Sequence, residues 1–130
     1  MSTLRCTNLQ DTSGGNSLTT AQIYNGAAKA WVNFNGTGTV AIRASFNVSS
    51  ITDNRQADYT VNFSNAMPDA NYIVSLAPSS CDVNSVIISA LQASGNWSTP
   101  TTYTSSAVRV ITTGNGGNAD MPIFGVVIFR

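Results

Sequence analysis

The chain has 130 residues, of which 42% are hydrophobic and only 9% charged, and its six basic groups balance its six acidic ones. That is the length of one domain with room for a short extra segment. Zero net charge without a basic run argues against a nucleic-acid-binding domain, and no run approaches the roughly 18 apolar residues of a membrane-spanning helix.

In chain order, the first 25 residues carry sparse apolar points, Leu4, Leu9, Leu18 and Ile23, among Thr, Asn, Ser and Gly. Such a segment cannot bury enough surface to fold alone, so it reads as a disordered tail or as an arm that orders against other chains. The expected division is an arm over residues 1–25 and a folded body over 26–130. Residues 1–10 lack a basic stretch followed by an apolar one, so no signal peptide is expected. Ala27 to Trp31 is the one helix-friendly stretch, too short to stand alone, and Trp31 is expected in the core at a strand start. Val32 and Phe34 then alternate with Asn33 and Asn35, and Asn35-Gly36 is a tight-hairpin signal. Thr39 to Arg43 reads as the return strand and Phe46 to Thr52 as the next, its broken alternation at Val48 to Ile51 suiting a bulge or an end.

Asp53 to Asp58 reads as a polar turn. Tyr59, Val61 and Phe63 alternate with Thr60, Asn62 and Ser64, the clearest half-buried strand in the chain. Ala66 to Asn71 is a loop, and Tyr72 to Leu76 a strand with Tyr72, Val74 and Leu76 on one face. Val86 to Leu91 and Tyr103 to Thr112 follow as strands, separated by a polar loop that carries Trp97. Gly114 to Asn118 is a flexible turn. The last segment, Pro122 to Arg130, is apolar on both faces, so it is expected as a central strand or one clamped between subunits. Short β-branched and aromatic runs broken by turn residues predict an all-β fold, an antiparallel β-sandwich.

Chemistry-bearing groups are few. There is no His, all six acids are Asp, and the six bases are Lys29 and five arginines. A histidine relay or imidazole ligand is therefore excluded, and the chain is not expected to be an enzyme. Each Asp sits among turn residues, where local hydrogen bonding favours it; Asp53 and Asp58, at the two ends of one loop, are the only pair worth testing as paired acids. No metal or cofactor is expected. Cys6 and Cys81 have no metal-site or redox spacing and read as reduced thiols, with a bridge between them as the lesser reading. Three Asn-X-Ser matches, at Asn47, Asn62 and Asn96, are what chance gives in a chain so rich in these residues. Trp97, flanked by Asn96 and with Tyr103 nearby, reads either as a loop anchor or as a platform on which a sugar stacks while polar neighbours bond its hydroxyls. Asn96, Trp97 and Tyr103 are thus the receptor-binding candidates.

The stretch Ala28 to Arg43 (AKAWVNFNGTGTVAIR), continued by Ser45 to Asn54 (SFNVSSITDN) and Tyr59 to Phe63 (YTVNF), resembles a module at the C-terminus of bacteriophage tail-fibre and related virion proteins, common in phages of cyanobacteria and other aquatic bacteria. Leu9 to Asn16 (LQDTSGGN) and Ile23 to Gly26 (IYNG) resemble the segment that leads into it. The resemblance spans roughly residues 4 to 76. It departs from the family at Asp53 to Asp58, where a Gly-containing turn is usual, and in the shortness of the chain ahead of the module.

The resemblance implies a homotrimeric β-structured knob, assembled in the host bacterial cytoplasm and carried on the virion. Threefold packing would cover Ile123, Phe124, Val126, Val127, Ile128 and Phe129. Leu4, Leu9, Leu18 and Ile23 would attach the arm to another virion protein of the tail, baseplate or capsid. The loops would meet a host-surface glycan or protein, giving adhesion as the expected function. A capsid-decoration or head-fibre protein without receptor binding is the alternative, and a polysaccharide depolymerase, which needs paired acids in a long groove, a minor one.

Overall fold

A computed structural model describes residues 2–3, 5–79, 88–90, 103–114 and 117–130, with backbone alone at 88–90, 113, 114 and 117. The chain opens with a short hairpin, β1 (Asn8–Gln10) and β2 (Ser17–Thr19), in which Leu9 stands opposite Leu18. Asp11 holds the turn: its carboxylate accepts from Asn16 Nδ2 at 2.9 Å, Gly15 N at 2.9 Å and Ser13 Oγ at 3.0 Å. These bonds, that of Asn16 foremost, hold Asp11 below the usual carboxylate range.

Helix α1 (Thr20–Gly26) follows. Its start is a capping box: Thr19 Oγ1 accepts from Gln22 N, and Gln22 Oε1 accepts from Thr19 N at 2.8 Å. The helix therefore lies ahead of the predicted stretch. Ala28–Asn35 forms strand β3, because packing between two neighbouring strands outweighs the weak helical preference of its alanines. The remaining strands are β4 (Ala41–Phe46), β5 (Val48–Arg55), β6 (Asp58–Phe63), β7 (Ile73–Pro78), β8 (Ile88–Ala90), β9 (Ala107–Gly114), β10 (Gly117–Asn118) and β11 (Phe124–Phe129).

Two antiparallel sheets make the body. One has the order β4-β3-β11-β7; the other runs β10-β9-β6-β5, with β8 also paired to β9. The chain changes sheet between β4 and β5 at Asn47, where φ is +54°. Asn tolerates this left-handed conformation better than most residues, and its side chain fixes the corner: Nδ2 donates to Lys29 O (3.1 Å) and Asn65 O (3.2 Å), and Oδ1 accepts from Asn65 N at 2.8 Å. The expected strand over Phe46 to Thr52 is thus two strands meeting at a corner. Between β5 and β6 only Gln56 and Ala57 turn the chain, so most of the expected polar turn is strand.

The inward side chains of both sheets meet in one cluster. Ala30, Val32 and Phe34 of β3 and Phe124, Val126 and Ile128 of β11 pack with Tyr59, Val61 and Phe63 of β6 and Val108 and Val110 of β9. Phe34 touches the Tyr59 ring edge-on at 5.2 Å and the Phe124 ring at 5.3 Å, contacts that favour one seating of the two sheets.

The β3–β4 connection is a five-residue loop, longer than the expected tight hairpin with its return strand from Thr39, and the glycine with positive φ in it is Gly38. Gly36 serves a close approach. A Cβ there would fall 2.6 Å from Tyr59 Oη and 3.0 Å from Met121 O, while Gly36 N donates to Met121 O at 2.8 Å.

Candidate functional site

Strand parity decides which side chains leave the core. Because Ala30, Val32 and Phe34 point inward, Trp31 and Asn33 point outward. Trp31 is therefore not the expected core residue: it lies on the outer face, 38% exposed. Its cross-strand partners are Phe46 on β4, 55% exposed, and Val127 on β11, which in turn faces Ser75 on β7. Phe129 faces Ile73, 72% exposed. The next row across the sheet is small: Ala44, Asn33, Gly125 and Ala77. None of these side chains is charged. Asn33 Oδ1 is buried and has no hydrogen-bond partner among the described residues.

The six residues expected at a subunit contact divide. Phe124, Val126 and Ile128 are at most 1% exposed and belong to the core of their own chain, so they are not available to a neighbour. Val127 and Phe129 are half-buried on the outer face, and Ile123, just before the strand, is exposed. The segment is apolar on both faces because one face meets the core and the other joins the Trp31 surface.

The other sheet turns a different face outward. Ser50, Thr52 and Asn54 of β5 stand beside Thr60 and Asn62 of β6, and their side chains bond to one another. Asn62 Nδ2 donates to Ser50 Oγ (3.1 Å) and Thr52 Oγ1 (3.0 Å), and Asn54 Nδ2 to Thr60 Oγ1 (2.9 Å). At one end Asp58, fully buried, accepts two bonds from Arg109 of β9, Nε at 2.7 Å and Nη2 at 2.5 Å, and one from Arg55 Nε at 3.0 Å. Arg109 above all holds the Asp58 carboxyl below its ordinary range, against the opposing effect of burial. Asp58 was expected as a turn residue and a partner of Asp53; its oxygens are instead occupied by the two guanidinium groups.

At the loop end of the core, Tyr59 Oη lies 2.6 Å from Asp120 Oδ1 and 3.0 Å from Gly36 O; its single proton is best given to the nearer, charged acceptor. Asp120 Oδ1 also accepts from Ala57 N at 2.6 Å, and Thr112 Oγ1 donates to Ala119 O at 2.6 Å. These bonds tie three connections together. Burial, with the Asp120 carboxylate beside it, pushes the Tyr59 hydroxyl well above its usual value.

Of the receptor-binding candidates, Tyr103 is half-buried, its ring 5.2 Å from that of Tyr72, and burial raises its hydroxyl pKa. Tyr72, whose hydroxyl burial pushes up to about 12, reaches the Thr104 and Ala107 carbonyls at 3.0 Å each. Tyr103 thus packs on the core edge. Asn96, Trp97, Leu4 and Cys81 lie outside the described residues; Cys6 is exposed and free. Among the described residues no group of three or more acids or cysteines is placed to hold a metal.

Among its described residues the arm buries no side chain. Leu9 (57%), Leu18 (51%), Ile23 (44%) and Tyr24 (64%) are all exposed. Lys29 links the arm to the body, donating to Tyr24 O with its ammonium 3.6 Å from the centre of the Tyr24 ring. No family model matches the chain, and no curated protein or solved structure matches it.

Proposed function

We propose that the protein is a bacteriophage virion fibre knob: a two-sheet β-sandwich that assembles as a homotrimer, docks on the particle through its N-terminal arm and mediates adhesion to the host surface. The observation that carries the reading is the uncharged outer face built on Trp31, Phe46, Ile73 and Phe129. A lone subunit would leave these side chains against water, and contiguous apolar surface of this kind marks an interaction site. The arm supports the same reading. A short hairpin with no buried side chain is marginal by itself, and Leu9 and Leu18, side by side on it, suit a docking contact with tail, baseplate or capsid. The resemblance over residues 4 to 76 supplies the virion class, and loops at the ends of the sheets are the natural receptor contacts. Weak contact by one knob becomes firm attachment when many act on one particle.

The test has two parts. Light scattering at micromolar concentration should give three times the chain mass, and the purified protein should compete with phage for adsorption to host cells. A stable folded monomer would reject the assembly. Tight binding to capsids without competition for adsorption would make the protein a head-fibre or decoration protein.

A further inference from the structure

We infer that Asn25-Gly26, where the arm joins the body, is a site of spontaneous covalent modification: the Asn25 amide closes on the Gly26 nitrogen, and water opens the ring to aspartate or isoaspartate. Asn is followed by Gly at residues 25–26, 35–36 and 115–116, and the last pair lies outside the described residues. Ring closure needs an amide carbon free to swing back, a following backbone N–H free to lose its proton, and space for a five-membered ring. A following glycine helps, since no Cβ shields its nitrogen. At Asn35 all three are denied. Its Nδ2 donates to Thr37 O at 2.7 Å and its Oδ1 accepts from Thr37 Oγ1 at 2.8 Å. Gly36 is buried against Tyr59, and its N donates to Met121 O at 2.8 Å. At Asn25 the side chain and the space are free. Asn25 and Gly26 are exposed, and the Asn25 side chain bonds to no described residue. Apart from its own helix, nothing lies within 4 Å of where a Gly26 Cβ would stand.

Water is the one co-reactant. Gly26 N gives its proton to a solvent base and attacks Asn25 Cγ; the Cγ–Nδ2 bond breaks, and the nitrogen takes up a proton and leaves as ammonia. Water then adds to one of the two ring carbonyls. Breaking the new bond from Cγ to Gly26 N gives aspartate. Breaking the bond from the Asn25 carbonyl carbon to Gly26 N gives isoaspartate, whose main chain runs one atom longer through the side chain. The gate is the last turn of α1, closed by Ala27 N donating to Ile23 O at 3.1 Å. A helical backbone directs Gly26 N along the axis and away from Asn25 Cγ, so that turn must open first. It opens readily: α1 has seven residues and buries none, its capping box is at the N-terminal end, and no basic residue stands in its last turn. So short a helix is marginal, and fraying ends open at almost no cost. The product places a negative charge at the helix C-terminus, where the carbonyls already carry partial negative charge. It thereby disfavours reclosing of the turn beside the Lys29–Tyr24 contact that links arm to body.

The test is peptide mapping by mass spectrometry of the intact purified chain, aged at mildly alkaline pH in heavy-oxygen water. The peptide that holds Asn25 should exchange its amide for a carboxyl carrying one solvent oxygen at least tenfold faster than the peptide that holds Asn35. In denaturant the two rates should converge, because both pairs then sit in like surroundings, Tyr24 before one and Phe34 before the other. Thr19→Ala removes the capping box and should speed the change at Asn25 several-fold while leaving Asn35 as it was. Gly26→Ala should slow it, by shielding the nitrogen and firming the helix. A ratio below tenfold in the folded chain would overturn the site, as would an Asn25 that survives while the denatured chain converts. An unchanged rate in Thr19→Ala, or a tenfold ratio that persists in denaturant, would overturn the control by α1.

Discussion

The two sheets share one core yet present opposite outer faces. On β5 and β6 of one sheet the outward side chains are Ser, Thr and Asn bonded to one another, closed at one end by Asp58 between Arg109 and Arg55. On the β4-β3-β11-β7 sheet they are Phe46, Trp31, Val127, Phe129 and Ile73 beside a row of small residues. The first face has met its polar needs within one chain; the second has not met its apolar ones. A substitution on the polar face should therefore register in the stability of the single chain, and one on the apolar face in association.

The largest effect is expected at Asp58. Asp58→Ala removes the carboxylate on which both guanidinium groups converge, and breaking a buried pair from one side costs about 3 kcal/mol. Part of the arginine desolvation is relieved, because the Arg109 and Arg55 side chains are 34% and 61% exposed. Urea unfolding of the dissociated chain measures it; a loss below about 0.5 kcal/mol, the scale of an ordinary surface change, would mean that the polar face is not holding the fold. The pH dependence follows from the same contact. The Asp58 carboxyl is depressed in the folded state, so its stabilisation is complete above the unfolded carboxylate value, about 3.9, and is lost as pH falls through the lower folded value. Asp58→Ala should flatten that acid limb of the stability curve.

A smaller effect is expected where the chain passes between the faces. Asn47→Ala deletes the side-chain bonds to Lys29 O, Asn65 O and Asn65 N while keeping a non-glycine residue at φ +54°. The expected cost is about 2 kcal/mol. Asn47→Gly loses the same bonds without the backbone strain, so it should cost less, and the difference between the two in thermal unfolding isolates the strain. Tyr59→Phe is expected to cost about 1 kcal/mol, since Asp120 keeps its bond from Ala57 N when the hydroxyl goes. In ultraviolet titration the variant should also lose one late-ionising phenol, the one that burial first and the Asp120 carboxylate second push up.

Much of this architecture could be read in the sequence where the pattern is local. The alternation at Tyr59, Val61 and Phe63 and at Val32 and Phe34 marks the inward side chains of β6 and β3, and the doubly apolar end of the chain forms the central strand β11. Trp31 was legible too: if Val32 and Phe34 face inward, Trp31 cannot, and alternation should outweigh the habit of placing a lone Trp in the core. Thr19 and Gln22, at capping-box spacing, mark α1 better than the helix-friendly composition of Ala27 to Trp31 does, and Asn47 between two apolar runs marks the corner that a single strand over Phe46 to Thr52 misses. Asp58 was not legible, because its burial depends on Arg109, 51 positions away. The division of β11 was not legible either, since an apolar residue reads the same against a core and against a neighbour.

The smallest expected effect on the single chain is at Ile73. Its side chain is 72% exposed at the edge of the apolar face, opposite Phe129. Ile73→Ser removes little that one chain buries, so the dissociated form should lose no more than about 0.5 kcal/mol. In the proposed assembly the same side chain would be covered, and burying an isoleucine is worth about 1.5–3 kcal/mol. At a peripheral position about half of that is expected, roughly a four- to tenfold change in the association constant. Ile73→Ser should thus be almost silent in denaturant unfolding at low concentration and plain in the concentration dependence of sedimentation, the reverse of Asp58→Ala. Equal effects of the two substitutions in both measurements would remove the distinction between the faces.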